Sequence, residues 1–224
     1  MMTRSLKQAW AFLPEFFARL TIRRDSGPID SIESLCGFVS TRSAFVAQKT
    51  LYGYLKARMG TRYPSLFEDD VFVSSIDVAK MHVFAACLSD LAVYAAYRAL
   101  RDQDLEDSAR RDLALCCFNS GLADNEDQAR GVRSFSIEDA ETAFERRLAF
   151  LDWKLGATGA VLFTASPAAL FEWAPIAPEL KRDDKEIVEN SIKFTWREIR
   201  AQLDKRIDEA AIATDLSSIS RPRN

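Results

Sequence analysis

Residues 75–100 constrain the fold of this chain more than any other stretch. Met81, Val83, Phe84, Cys87, Leu91, Val93, Tyr94 and Tyr97 leave a helix of that length almost no polar face. Such a helix is either the buried centre of a globular domain or a membrane span. Asp90 lies near its middle, where transfer into lipid would cost about 2.5 to 3.5 kcal/mol, and Lys80, His82 and Arg98 interrupt the run further. Burial inside protein is the better solution, with Ser75 and Asp77 placed to start the helix. Asp90 then needs a partner, because an unpaired buried charge is expensive, and Arg42 and Lys49 are the nearest candidates in kind.

The remainder of the chain supplies what would bury such a helix. Its 224 residues suit one large domain that removes on the order of 70% of its unfolded surface from water. Only 8 Gly and 7 Pro against 48% hydrophobic residues favour helix throughout. The expected architecture is all-α: a single-domain multi-helix bundle, residues 28–213, around a central apolar helix at about residues 76–100. Before it, residues 1–26 form a basic amphipathic segment with Leu6, Trp10, Leu13, Phe17 and Leu20 on one stripe, interrupted at Pro14. Packing onto the body of the protein is favoured for this segment over lying on a membrane surface.

Local signals divide the rest. Asp30 and Glu33 have capping-box spacing for a helix from Ser31 to Met59 that ends at Gly60. A helix is expected over residues 105–118, a loop over 124–134, and a helix capped by Ser136 that buries Ile137, Phe144, Leu148, Leu151 and Leu155 and ends at Gly156. Residues 157–165 fit a short strand or a helical turn, with helix favoured. Ser166 and Pro167 open a short helix, residues 178–213 form one long helix with Val188, Ile192, Ile199, Leu203 and Ile207 inward, and residues 217–224 are a disordered tail.

The helix ending at Gly60 has an unusual surface. Phe38, Phe45, Tyr52 and Met59 recur every seven residues, beside a ridge of Leu35, Arg42, Lys49 and Lys56. No acid occurs from Ser34 to Phe67, although Arg42, Lys49, Lys56, Arg58 and Arg62 do. Two explanations compete: the aromatics are core and the cations pair with acids from elsewhere, or Arg42, Lys49, Tyr52, Lys56, Arg58 and Arg62 form a site for an anionic partner. Glu68, Asp69 and Asp70, just after this stretch, read as capping acids at a helix start.

Catalytic chemistry is limited by the single histidine, His82, whose helical neighbours Val78, Ala79, Ala85 and Ala86 offer it neither acid nor hydroxyl. His82 and Asp90 read as buried polar residues. There is no nucleophile-elbow, phosphate-loop or dinucleotide motif, and the loop at 124–134 has Ala129 where a calcium loop needs glycine. No metal site and no cofactor are expected. Cys36, Cys87, Cys116 and Cys117 contain no CxxC pair and read as reduced thiols. With no secretory signal pattern, this implies a cytoplasmic protein, with weak attachment to the inner membrane face as an option. A net charge of −3 disfavours nucleic acid as a partner.

The run Phe38-Val-Ser-Thr-Arg-Ser-Ala-Phe-Val-Ala-Gln-Lys-Thr-Leu-Tyr-Gly-Tyr-Leu-Lys, followed by Arg-Met-Gly-Thr-Arg-Tyr-Pro-Ser, resembles a group of uncharacterised bacterial proteins, some labelled esterase. The likeness extends to Ser-Pro-Ala-Ala-Leu-Phe and the final helix. An esterase would require a nucleophilic serine, and no family catalytic motif maps onto a position here. The expected function is a non-enzymatic helical binding or adaptor protein whose basic and aromatic surface takes an acidic protein, a phosphate ligand or a lipid head group. The alternative is a small hydrolase using a serine with His82 or a carboxylate.

Overall fold

A computed structural model describes residues 27–60, 63–103, 106–154 and 162–219. The N-terminal segment 1–26, Arg62, residues 155–161 and the tail beyond 219 lie outside the described residues. The fold is an all-α, multi-helix bundle with no strand among the described residues. In chain order the helices are α1 (Ile32–Met59), α2 (Tyr63–Leu66), α3 (Asp70–Ala99), α4 (Asp107–Ala123), α5 (Glu126–Arg130), α6 (Ile137–Ala149), α7 (Ala165–Trp173), α8 (Pro178–Lys181), α9 (Lys185–Arg206) and α10 (Glu209–Ile219).

Helix α3 is the apolar centre expected from the sequence, and α1, α4 and α7 pack around it. By length and composition it could cross a membrane, yet Phe84, Cys87, Leu88, Asp90, Leu91 and Ala95 along it are fully buried by the surrounding helices. It begins five residues earlier than Ser75, because the Asp69 carboxylate accepts the amides of Val71 at 2.9 Å and Phe72 at 3.3 Å. The acidic cluster therefore contributes a cap. Helices α3 and α4 approach closely at Gly121, where a β-carbon would stand 2.5 Å from Leu88 Cδ1.

Helix α1 starts and stops where the sequence indicates, by a different device at its N-terminus. Ser31 Oγ accepts the Ser34 amide at 3.2 Å and Ser34 Oγ accepts the Ser31 amide at 3.1 Å, so two serines form the capping box expected of Asp30 and Glu33. Its C-terminus turns at Gly60, whose φ of 54° is accessible to glycine without a β-carbon clash.

Other boundaries moved for identifiable reasons. Helix α4 covers residues 107–123 rather than 105–118, and the expected loop at 124–134 contains α5. Helix α6 ends at Ala149, short of Gly156. The final helix is three helices. Ile207 and Asp208 are drawn out of helix by Ile29, whose amide donates to the Arg206 carbonyl at 2.9 Å and whose carbonyl accepts the Asp208 amide at 2.8 Å. Asp208 then caps α10 through the Ala211 amide at 3.0 Å. Ser217, assigned to a disordered tail, lies within that helix.

Candidate functional site

Among the described residues a dense polar cluster surrounds Asp90, which is fully buried on α3. One carboxylate oxygen accepts Arg147 Nη1 at 2.7 Å and the Ala165 amide at 3.1 Å. The other accepts the Ser166 amide at 2.8 Å and the Ser166 hydroxyl at 2.6 Å. Trp196 Nε1 donates to the same hydroxyl at 2.9 Å. Four helices, α3, α6, α7 and α9, thus meet at one charge. Asp90 also caps α7, because the amides it accepts belong to that helix's first two residues, where partial positive charge collects.

Two expectations are corrected here. Asp90 pairs with Arg147 rather than with Arg42 or Lys49; Lys49 lies instead beside Glu198 and Arg42 over the Phe38 ring. Ser166 is not the N-cap of α7 but lies inside it, its hydroxyl spent on Asp90.

Arg147 joins this centre to a groove of about 370 Å³ lined by His82, Ala86, Phe118, Ala143, Phe144 and Trp173, with Ser89 and Asp139 among its polar members. The Phe118 and Phe144 rings stack at 4.1 Å on its wall. Three of the five guanidinium N–H groups are engaged among the described residues, by Ser89 Oγ at 2.7 Å, Asp90 and the Leu162 carbonyl at 2.6 Å. Small alanines leave the space open, and the arginine supplies its strongest hydrogen-bond donors.

His82 stands at the rim. Its ring stacks on Trp173 with centroids 3.5 Å apart, meets the edge of Phe135 at 5.2 Å and has Nε2 3.1 Å from the Ser134 carbonyl. That carbonyl fixes the proton on Nε2. The residue is half-buried rather than core. Burial holds its pKa below the ordinary histidine value, against weaker opposing effects of the Ser134 carbonyl and Glu172. The sign of the consequence follows. As pH falls through about 6.5 the unfolded chain protonates before the folded one, so stability contributed by neutral His82 is present above that pH and declines below it. In His82→Gln, the fall in urea stability from about pH 7 to about pH 5.5 should be shallower than in the parent protein; an identical slope would remove His82 as its source.

The basic ridge on α1 is a seam with the last long helix. Arg58 is ion-paired with Asp184, which is buried and also accepts Tyr54 Oη at 2.7 Å. Lys49 Nζ lies 3.5 Å from Glu198 and over the Phe45 ring at 5.4 Å. Arg42 and Arg206 both lie over the Phe38 ring, at 5.6 and 5.4 Å. Tyr52 is buried and Lys56 is exposed. Acids absent from α1 beyond Glu33 thus arrive from α9 and the turn before it.

Arg147 and Trp196 were not singled out from the sequence, and Ser166 was read only as a helix cap. A signal for Arg147 existed: it falls three residues after Phe144 and one before Leu148, at the edge of the buried face of α6. No protein-family model, curated protein or solved structure matches this chain.

Proposed function

We propose that this is a non-enzymatic helical binding protein, and that its anionic partner is a small molecule with an apolar body seated in the groove between α3, α6 and α7. The observation that carries this reading is Arg147, a partly covered guanidinium with three of its five N–H groups engaged among the described residues, lining an otherwise mostly apolar groove. Pockets of this size are ordinary for small ligands, and a few convergent polar groups within apolar walls give such sites their specificity. A carboxylate or phosphate accepting from Arg147 gains a charge-assisted bond. Asp139 on the same wall works against an anion and favours a ligand with its charge at one end only.

The α1 ridge supports the reading less, since Arg58 and Lys49 already have acidic partners. The hydrolase alternative lacks a connected nucleophile: the Ser166 hydroxyl is buried between Asp90 and Trp196, and Nε2 of His82 faces a backbone carbonyl.

Calorimetric titration with decanoate and with decanol tests the proposal. Decanoate should bind saturably and decanol more weakly. Ala143→Phe, which fills the groove from an exposed position outside the Asp90 network, should weaken decanoate by about tenfold or more, a change of roughly 1.4 kcal/mol. Equal binding of the alcohol would discard the role of Arg147, and an unaffected Ala143→Phe would discard the groove.

A further inference from the structure

Three of the four cysteines converge where α1 meets α4. Cys36 Sγ lies 2.9 Å from Cys117 Sγ and 3.9 Å from Cys116 Sγ. Cys36 and Cys117 are buried, whereas Cys116 is exposed on the neighbouring position of α4. All are free thiols, and Cys87 sits apart on α3. A bonded pair has sulfurs about 2.05 Å apart, so Cys36 and Cys117 need a closure of only about 0.9 Å. The two thiols come from distant parts of the chain and have no role in the groove.

We propose that this cluster is a thiol–disulfide exchange site, at which a low-molecular-weight disulfide reacts first with Cys116 and leaves a Cys36–Cys117 bond locking α1 to α4. The Cys116 thiolate attacks one sulfur of R–S–S–R, forming a mixed disulfide and releasing one RS⁻. Cys36 as thiolate attacks Cys116 Sγ, forming Cys36–Cys116 and releasing the second RS⁻. Cys117 as thiolate attacks Cys36 Sγ, forming Cys36–Cys117 and restoring Cys116 as thiolate. The protons lost by Cys36 and Cys117 end on the two departing thiols. The net change is one external disulfide reduced and one internal disulfide formed.

Each residue suits its step. Only Cys116 is exposed enough to meet an external disulfide. Cys36 is central, and hydrogen bonding with Cys117 and then Cys116 lowers its pKa against the opposing effect of burial. Burial first, and the adjacent Cys36 next, push Cys116 up to about 11, which makes the first attack the slow step. Cys117 is held well above the ordinary thiol range, so it reacts last, once Cys36 has become the electrophile.

The test is oxidation of the native protein with oxidised glutathione, followed by alkylation in denaturant and mass mapping. The expected product has Cys87 and Cys116 alkylated and Cys36 linked to Cys117, with a thermal midpoint raised by roughly several degrees through the constraint on the unfolded chain. Cys116→Ser should give the same bond about tenfold or more slowly, and Cys117→Ser should stop at Cys36–Cys116. These exposed-thiol and resolving-thiol variants leave the central Cys36 in place, so folding is not at risk from its loss. Alkylation of all four cysteines after oxidation, or a lasting glutathione adduct on Cys116 alone, would overturn the proposal. So would bond formation at the parent rate in Cys116→Ser.

Discussion

Asp90→Ala will destabilise the protein by about 3 to 5 kcal/mol, the range for breaking a buried ion pair from one side. The substitution removes a carboxylate that receives four hydrogen bonds. It leaves the Arg147 guanidinium facing a neutral void and the first amides of α7 without their acceptor. Arg147 is 19% exposed at its side chain, so water reaches part of it and the loss falls towards the lower end. Asp90→Asn keeps the volume and some acceptor capacity but not the charge, and should lie between the parent and the alanine variant. Urea denaturation followed by far-UV circular dichroism measures all three. Asp183→Ala, at an 86% exposed side chain, should change stability by no more than about 0.5 kcal/mol and serves as the control. A loss below about 1 kcal/mol in Asp90→Ala would mean that water or rearranged neighbours replace the carboxylate.

The contrast between what could and could not be read from sequence follows from the range of the forces involved. Helix α3 was legible because its apolar residues lie next to one another in the chain, and Gly60 was legible as a stop because a positive φ is a local requirement. The N-terminus of α7 was misread because Ser166 is a good local cap, yet the buried Asp90 carboxylate, distant in the chain, accepts the amides of Ala165 and Ser166 and so starts the helix before that serine. The break at Ile207 was hidden because Ile207 keeps the apolar register of α9, and only the pairing of Ile29 with its neighbours interrupts the helix. The charge on α1 was correctly located but not its surroundings: an acid-free stretch tells nothing about Asp184 and Glu198, which reach it through the fold. The groove escaped for the same reason, since its walls come from α3, α6 and α7 together.

Trp196→Ala should cost about 3 to 5 kcal/mol by leaving a cavity in the core. The indole is 1% exposed and its ring lies against Phe163 at 4.7 Å, so no surface water can refill the space cheaply. Trp196→Phe keeps part of the packing and deletes the hydrogen bond to Ser166, and the expected loss is about 1 to 2 kcal/mol. The informative quantity is how these changes combine with Asp90→Ala. Ser166 Oγ sits between the two, donating to Asp90 and accepting from Trp196, so removal of either neighbour frees the hydroxyl to move. Once it has moved, loss of the other neighbour costs less. The double variant Asp90→Ala/Trp196→Ala should therefore be more stable than the sum of the single losses implies, by about 0.5 to 3 kcal/mol. Strict additivity would mean that Ser166 stays in place after either change and that the four helices are held by independent contacts; a coupling within the expected range would make the buried hydroxyl the point through which α3 and α9 sense one another.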